Sequence, residues 1–236
     1  MSDCGVPYAT TPHLPTTEVE QDYWRRGLDR VAGLDEAGRG PWAGPVYAAA
    51  VILPPCEEQL LTALQGVRDS KTLSLQQRNR LFEAISGVAL SAGVGWSDAA
   101  EIDQLGIVPA TRLAMRRALA GLAVEPQVLI LDALRLPASP LPQVAFPKAD
   151  ATCLSVAAAS IVAKVSRDDW MIHHAEVQYP GYGFARHKGY GTAAHAAALD
   201  RLGVCPLHRR SFRPIAERLG AVHDSDGCRD RATGAR

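Results

Sequence analysis

Apolar residues along the chain first recur with the spacing of buried strands. A short apolar run over residues 31–34 stops in a glycine-rich stretch, and a β-rich apolar run follows over 46–53. This pattern predicts two buried strands joined by a structured loop. Further strands are predicted over residues 88–96, 128–134 and 144–147. The run over 128–134 is apolar on both faces, as is typical of a central strand.

Helical periodicity separates these strands and dominates the second half of the chain. Ser74 followed by Gln77 has the spacing of a capping box and predicts a helix start. Pro109 predicts the start of another helix. Residues 151–177 are alanine-rich, with apolar residues at i, i+4, i+7 and i+11, which predicts a long helix with one face against a sheet. Residues 192–202 form the last predicted helix.

The order of these elements predicts the fold class. Strands come early, helices alternate with them and then dominate, so we expect an α/β fold with a mixed sheet and a helical C-terminal part folded onto it. Residues 1–22 and 221–236 lack any period, which predicts a flexible N-terminal arm and a flexible tail. The chain of 236 residues is 47% hydrophobic, which excludes disorder throughout. We expect one domain over residues 23–220.

Composition also bears on location. No apolar stretch reaches the ~18 residues of a bilayer span, and the first residues lack the basic start and apolar centre of an export signal. The five cysteines lie far apart, and their odd number leaves at least one unpaired. These features favour a reducing, cytoplasmic setting and no membrane partner.

The formal net charge is zero, but the charges are unevenly distributed. Residues 164–213 contain eight lysines and arginines against four acidic residues, and five of the seven histidines. A cationic segment of this kind is compatible with binding a polyanion. A solvated charged surface would give the same pattern.

Four carboxylates occupy positions where an ionised group is costly to desolvate. Asp35 and Glu36 end the first predicted strand, Asp132 lies in or at the end of an apolar strand, and Asp150 precedes the long helix. If they converge, mutual repulsion raises some of their pKa values until a divalent cation neutralises them, and oxygen ligands favour Mg²⁺ or Mn²⁺. The alternatives are turn acids at Asp35 and Glu36, an edge-strand residue at Asp132, and a helix cap at Asp150.

A glycine-rich loop follows the first two acids. Gly38, Arg39 and Gly40 would let backbone N–H groups approach a phosphate or a sugar, because glycine has no Cβ. The loop lacks the Gly-Lys-Ser/Thr of a nucleotide P-loop and the spacing of a dinucleotide fingerprint. A tight turn that needs glycine is the alternative.

Over residues 31–214 the chain contains, in this order, the motifs VAGLDEAGRGPWAGPVYAAAVIL, DSKTLS, EIDQLGI, LILDAL, KADATCLSVAAASIVAKVSRD, YGFARHKGYGT and HRRSF. Together and in the same order, these motifs resemble those of the ribonuclease HII family. The resemblance implies a ribonuclease H-like fold with a mixed five-stranded sheet. It also implies a two-metal-ion endonuclease that produces 5′-phosphomonoesters. The implied substrates are RNA–DNA hybrids and duplex DNA containing single ribonucleotides, nicked on their 5′ side.

The resemblance also implies roles for individual residues. The catalytic and metal-binding acids would be Asp35, Glu36, Asp132 and Asp150. The backbone of Gly38, Arg39 and Gly40 would recognise the ribose 2′-OH, and Tyr190 would pack by the next deoxyribose. We further expect phosphate contacts from basic residues, each of which could instead be an ordinary surface residue: Lys71, Lys164, Arg186, Lys188 and Arg209.

The chain departs from the family at two of its motifs. Related enzymes often carry Asp-Gly-Asn where this chain has Asp132, Ala133 and Leu134. They often carry Lys-Gly-Asp-Ser where this chain has Lys148, Ala149, Asp150 and Ala151. The acids are retained, so we expect the reaction class to be kept and the metal preference or rate to differ.

The four acids are also compatible with two other functions. Another polynucleotidyl-transferase-type nuclease, such as a 3′ exonuclease or a junction resolvase, would also place acids on such a sheet. A catalytically decayed nucleic-acid-binding protein is disfavoured by the retained acids. His187 and His208 are expected to be structural or to contact phosphate. Cys205 and His208 have zinc-like spacing but no second pair. A monomer is compatible with the sequence.

Overall fold

The computed structural model describes residues 14–226 and contains one mixed five-stranded sheet. The strands are β1 (Val31–Ala37), β2 (Val46–Ile52), β3 (Ser91–Ser97), β4 (Val128–Asp132) and β5 (Gln143–Phe146). Their order across the sheet is β3-β2-β1-β4-β5. β1, β2 and β3 are antiparallel neighbours, whereas β4 and β5 run parallel to β1. The predicted mixed α/β sheet is therefore confirmed.

Helices flank this sheet and form the C-terminal part. They are α1 (Glu18–Trp24), α2 (Glu57–Ala63), α3 (Leu75–Val88), α4 (Ala99–Leu105), α5 (Ile107–Ala120), α6 (Leu154–Trp170), α7 (Glu176–Gln178), α8 (Phe184–His187), α9 (Ala193–Leu202) and α10 (Arg213–Asp226). Short 3₁₀ turns lie at Ser70–Thr72 and Ala149–Ala151, and a π-helical segment, Met171–Ala175, joins α6 to α7. No helix in this described part of the chain has the length and apolar character needed to cross a bilayer.

The two faces of the sheet bury separate apolar layers. Side chains of β2 alternate, so Ala49 and Val51 pack toward α3 and α6 while Ala48 and Ala50 pack toward α5. Gly33 in β1 allows α6 to approach closely, because a Cβ there would lie 2.3 Å from the backbone carbon of Ser155. This contact brings the first turn of α6 against the strand that carries Asp35 and Glu36.

The C-terminal helices enclose a third apolar cluster that includes Met171, Phe184, Leu199 and Ile215. Ala43, from the loop between β1 and β2, is buried in the same cluster. We call residues 38–45 the glycine loop. Through Ala43 the C-terminal part therefore supports this loop, which lies next to the first two acids.

Several predicted elements are confirmed at their key residues. Ser74 and Gln77 form the predicted capping box, with both reciprocal hydrogen bonds present. The long helix predicted over 151–177 is observed as α6, the π-helical segment and α7, which succeed one another without a break. α5 begins at Ile107, two residues before Pro109, and ends at Gly121.

The arm predicted over residues 1–22 is wrong for its last part. The backbone of Thr16 exchanges hydrogen bonds of 2.9 and 2.8 Å with Thr152 and Leu154, and α1 follows directly. Buried Glu20 accepts hydrogen bonds from both the N–H and the hydroxyl of Ser155 in the first turn of α6, where a negative charge is favourable. Residues 1–13 lie outside the described residues.

The predicted tail needs a similar correction. α10 continues to Asp226, so the helix includes residues 221–226, which were predicted to be part of the tail. Residues 227–236 lie outside the described residues.

Candidate active site

The four acids lie at one edge of the sheet because β1 and β4 are parallel neighbours. The register pairs Leu34 with Leu131, so Asp35 and Asp132 follow side by side at the carboxyl ends of their strands. Asp150 lies in the 3₁₀ turn that leads into α6. Asp35 and Asp150 are buried. The acids that are distant in sequence are thereby brought together.

This placement excludes the three structural alternatives that were open for the four acids. Asp35 and Glu36 are strand residues of β1 rather than turn acids. Asp132 ends β4, which lies between β1 and β5 and is not an edge strand. Cys153 is the N-cap of α6 and forms no side-chain cap bond, and the Ser155 N–H in the first turn donates to Glu20, so Asp150 is not the cap of this helix.

The acids interact electrostatically in the way that their placement implies. Burial raises the pKa of Asp35 well above its usual value, and the charges of Glu36, Asp132 and Asp150 raise it further. Burial also raises the pKa of Glu36, against the opposing effect of Arg39. The pKa of Asp150 is raised by burial and by Asp132 and Asp69. The edge therefore concentrates negative charge that a cation would stabilise.

Three of the four carboxylates accept hydrogen bonds from nearby protein groups. Asp35 Oδ1 accepts a 2.7 Å hydrogen bond from the Glu36 N–H, and Asp132 Oδ1 accepts one of 3.0 Å from the Ala149 N–H. Glu36 Oε1 accepts from Arg39 at 3.1 Å. The other oxygen of Glu36 is buried and has no hydrogen-bond partner in the described part of the chain. Such an orphaned carboxylate oxygen is costly unless a ligand satisfies it.

These donors fit a hard divalent cation in chemistry and charge. Carboxylate oxygens are the ligands that Mg²⁺ prefers, and the excess negative charge and the orphaned Glu36 oxygen both favour a cation. As the side chains stand, however, no three histidine, cysteine or acidic residues within residues 14–226 could hold one ion. To coordinate one ion together, these side chains would therefore have to rotate from the positions described here.

A pocket of about 260 Å³ adjoins these acids. It is lined by Glu36, Ala37, Gly38, Arg39, Gly40, Ser70, Lys71, Lys164 and Tyr190. The pocket thus brings together one acid, two of the predicted basic residues and the predicted tyrosine. It also contains Gly38, Arg39 and Gly40, which we call the glycine motif. A larger groove of about 590 Å³ beside α3 and the end of α6 contains none of the four acids. The smaller pocket is the candidate site because it adjoins the acids.

Lys71 interacts electrostatically with three of the four acids. Burial alone would lower the pKa of Lys71, but the negative charges around it raise this pKa above its usual value. These charges belong to Asp69, Asp35, Asp150 and Glu36. The 3₁₀ turn that carries it is stabilised by the Asp69 carboxylate, which accepts a 2.9 Å hydrogen bond from the Lys71 N–H. Lys71 therefore presents a fixed positive charge at the pocket.

The 3₁₀ turn is also held from beneath, by a residue that sequence reasoning missed. Arg78 on α3 donates to the carbonyls of Ser70 and Leu73 at 3.0 and 2.6 Å. An arginine four residues after the Ser74 cap is an ordinary helix residue in the sequence, so only the fold reveals this role.

Lys164 and Tyr190 face one another across the pocket. The Lys164 ammonium lies 5.8 Å from the centroid of the Tyr190 ring and 2.7 Å from Asp168. Burial lowers the pKa of Lys164, although Asp168 opposes this effect. Tyr190 is 41% exposed, so its ring is available to a ligand.

The remaining predicted basic residues lie away from the pocket lining. Arg186 is exposed on α8, and the Lys188 ammonium donates to the carbonyl of Ala185. Arg209 is completely buried, so in this structure it is not placed to contact a phosphate in solvent.

Buried Arg167 links the glycine loop to the segment that carries Tyr190, and sequence reasoning missed it as well. Its guanidinium donates to the carbonyls of Pro45, Ala43 and Lys188 at 2.9, 3.3 and 3.1 Å. The residue continues the buried stripe of α6 that begins at Val156, at i+11. That spacing is the signal that could have identified it as inward-facing.

The Ala133 substitution relative to related enzymes has a backbone consequence. Ala133 adopts a φ of +56°, a left-handed conformation that glycine adopts without strain. The 3.0 Å hydrogen bond from the Ala149 N–H nevertheless holds Asp132 at the strand end. Ala133 therefore carries backbone strain directly beside the acid.

A chain of histidines supports the backbone at Tyr190. The Tyr190 carbonyl can only accept, so His195 Nδ1 donates to it at 2.9 Å and His195 Nε2 accepts from His208 Nε2 at 3.0 Å. His208 Nδ1 then accepts from the Cys205 N–H at 3.0 Å. His187 stacks on His195, with ring centroids 4.3 Å apart. Both nitrogens of His208 are used within the protein, which supports the structural role expected of this residue.

This histidine chain makes stability depend on pH. Burial lowers the pKa values of His195 and His208 from 6.5 to about 4. Between pH 4 and pH 6.5 these two histidines bind more protons in the unfolded chain than in the folded one, so their contribution to the free energy of unfolding falls as the pH falls. For one histidine we expect a loss on the order of 1–2 kcal/mol between pH 7 and pH 5.

Denaturant unfolding at both pH values measures this loss. His208→Gln should reduce the pH dependence, whereas His174→Gln, at an exposed position, should leave it unchanged. Equal pH dependence in His208→Gln and the unmodified protein would contradict the assignment.

Comparison with known proteins agrees with the geometry. The family model for Ribonuclease HII matches residues 32–215. Ribonuclease HII of Chloroflexus aurantiacus is 50% identical over 212 residues, covering 90% of this chain and 100% of the relative. Ribonuclease HII of Thermus thermophilus is 52% identical over 199 residues, covering 84% of this chain and 93% of the relative.

A solved structure shows the same fold. The crystal structure of ribonuclease H2 from Pyrococcus horikoshii OT3 superposes with a TM-score of 0.67 at 27% identity, covering 82% of this chain and 99% of that one. The family match covers most of the chain, includes all four acids and coincides with the sheet and the pocket described above. The chain therefore belongs to the ribonuclease HII family.

Proposed function

We propose that this protein is an endonuclease that hydrolyses the RNA strand of RNA–DNA hybrids and nicks duplex DNA on the 5′ side of single ribonucleotides. Membership of the ribonuclease HII family supports the reaction class. The observation that carries the proposal is the pocket that adjoins the acids and is lined by Glu36, the glycine motif and Tyr190. It combines groups suited to phosphodiester hydrolysis with groups suited to reading a sugar.

We infer that two Mg²⁺ or Mn²⁺ ions serve the reaction. Asp35 and Asp132 would flank both ions, and Glu36 and Asp150 would each favour one. When bound, such ions activate a water molecule and neutralise charge on the scissile phosphate. The raised pKa values of Asp35, Glu36 and Asp150 support cation binding, since a cation relieves the repulsion that contributes to them.

The protein's own groups would orient the substrate. Backbone N–H groups of Arg39 and Gly40 would donate to the ribose 2′-oxygen, and the exposed ring of Tyr190 would pack against the next deoxyribose. The 2′-OH distinguishes RNA from DNA at a given site, so base identity should matter little. Lys71 and Lys164 would contact phosphates, which makes binding salt-dependent.

The test is a duplex DNA that carries one internal ribonucleotide, with the all-DNA duplex as its control. With Mg²⁺ or Mn²⁺ we expect a single nick on the 5′ side of the ribonucleotide and a 5′-phosphate on the product. We expect no nick without divalent ion and none in the control. Stepwise release of nucleotides from an end would identify an exonuclease instead, and cleavage of the all-DNA duplex would contradict ribose recognition.

A further inference from the structure

Arg209 donates hydrogen bonds to the glycine loop from the protein interior through all three nitrogens of its guanidinium group. It follows His208 in the segment between α9 and α10 and is 0% exposed. Its Nε donates to the Gly44 carbonyl at 2.9 Å, and its two terminal nitrogens donate to the carbonyls of Arg39 and Gly38 at 2.9 and 2.6 Å. All three nitrogens of the guanidinium thus bind backbone of a single loop.

The environment of Arg209 differs from that of a phosphate contact. It forms no ion pair with any carboxylate in residues 14–226. Burial lowers its pKa to about 9. A buried cation without a carboxylate partner is costly, and here it is stabilised by the loop carbonyls and by the Phe212 ring, whose centroid lies 5.1 Å from the guanidinium carbon. The positions of these carbonyls are therefore tightly coupled to the arginine.

Those hydrogen bonds determine which way two peptide groups face. The described chain contains no cis peptides, and in a trans peptide the C=O and the following N–H point in opposite directions. Because the Gly38 carbonyl faces Arg209, the Arg39 N–H faces away from it. The same holds for the Arg39 carbonyl and the Gly40 N–H. Neither N–H donates to any group of residues 14–226, and both residues line the pocket.

We propose that Arg209 is a positioning residue for ribose recognition, which holds the N–H groups of Arg39 and Gly40 toward the 2′-oxygen of the substrate. This proposal rests on the proposed function and replaces the phosphate contact expected from the sequence. Two preorganised donors would favour ribose over deoxyribose, which has no 2′-oxygen to accept them. Glycine on either side of Arg39 leaves these peptides free to rotate once Arg209 is absent.

The rest of the loop is held independently. Arg167 binds the carbonyls of Ala43 and Pro45, so removing Arg209 releases the Gly38–Gly40 peptides without releasing the whole loop. A lysine cannot replace the planar fork that binds two successive carbonyls, because its ammonium is a single point donor. Arg209→Lys therefore keeps the charge and loses the geometry.

The experiment compares binding of two duplexes by Arg209→Lys and Arg209→Met, each in an Asp132→Asn background so that the substrate is not cut. The duplexes are identical except that one carries a single ribonucleotide. We expect the preference for the ribonucleotide duplex to fall at least about tenfold, equivalent to about 1.4 kcal/mol. Affinity for the all-DNA duplex should change less than about twofold. Arg210→Met, at the adjacent exposed arginine, should keep the preference.

Other outcomes separate the competing roles. If Arg209 contacted a phosphate, both variants should bind the two duplexes equally more weakly. The slope of log affinity against log salt concentration should then be smaller by about 1. A purely structural role predicts a lower melting temperature with the preference intact, and either result overturns the proposal. If Arg209→Met does not fold, Arg209→Lys alone provides the test of duplex preference. If the Asp132→Asn parent itself showed no preference for the ribonucleotide duplex and the unmodified protein did not nick it, the proposed function would fail instead.

Discussion

Asp132→Asn is expected to abolish cleavage while leaving the fold and nucleic-acid binding in place. Asparagine has the shape of aspartate, and its amide oxygen can keep the 3.0 Å hydrogen bond from the Ala149 N–H. Asparagine lacks the negative charge that Asp132 places next to Asp35, where β1 and β4 run parallel. Under the proposed two-ion mechanism, loss of this charge should lower kcat by at least about 1,000-fold, or about 4 kcal/mol.

Stability should change in the opposite direction from activity. Asp132 contributes to the raised pKa values of Asp35, Glu36 and Asp150, so removing its charge relieves repulsion. We therefore expect the free energy of unfolding at pH 7 to stay equal or to rise. Single-turnover cleavage and thermal unfolding measure the two effects.

A matched control is Asp200→Asn on α9, whose side chain is 68% exposed and pairs with Arg218. This change should leave cleavage unaffected and stability within about 0.5 kcal/mol. Unchanged turnover in Asp132→Asn would remove the metal-ion mechanism. Loss of binding together with loss of cleavage would show that the acid shapes the binding surface as well.

Gly38→Ala is expected to have the largest effect on stability. Gly38 adopts a φ of +93°, and a Cβ there would lie 2.0 Å from Nε of Arg167. Arg167 cannot move aside easily because it is 0% exposed and its guanidinium binds three backbone carbonyls. Backbone strain and the clash together should cost at least about 3 kcal/mol. Activity should fall as well, because the glycine motif lines the pocket.

Gly87→Ala in α3 is the matched control for this substitution. It removes the same glycine freedom from the unfolded chain, and nothing lies within 4 Å of the added Cβ. Stability should stay the same or rise by up to about 1 kcal/mol, with unchanged activity. Denaturant unfolding of the two variants gives the comparison. Similar stability of Gly38→Ala and the unmodified protein would mean that the loop adopts another conformation in solution.

Much of the fold follows from local patterns. The capping box at Ser74 and Gln77, the apolar run of β4 and the single apolar face of α6 each depend on residues near one another in the chain. α1 was missed because its seven residues include three acids, its one fully buried residue is Glu20, and Val19, Tyr23 and Trp24 are only partly buried. Its stability comes from contacts with the start of α6, more than a hundred residues away, which no local pattern contains.

The same distinction applies to the basic residues. Lys71 and Lys164 line the pocket, as the family motifs suggested, whereas Arg209 and Arg167 are buried against carbonyls. In the sequence all four are simply cations within motifs that resemble one family. Whether such a side chain meets a phosphate or a peptide depends on backbone orientation, which residue type does not specify.

By itself the sequence determined the kinds of chemistry available: four carboxylates at predicted strand and helix ends, a glycine motif and a family resemblance. Only the tertiary structure decided that the carboxylates share one edge, because that depends on the parallel pairing of β1 with β4. It also decided that Arg209 supports the glycine loop from inside the protein. Both outcomes depend on long-range packing, where residues far apart in the chain become neighbours.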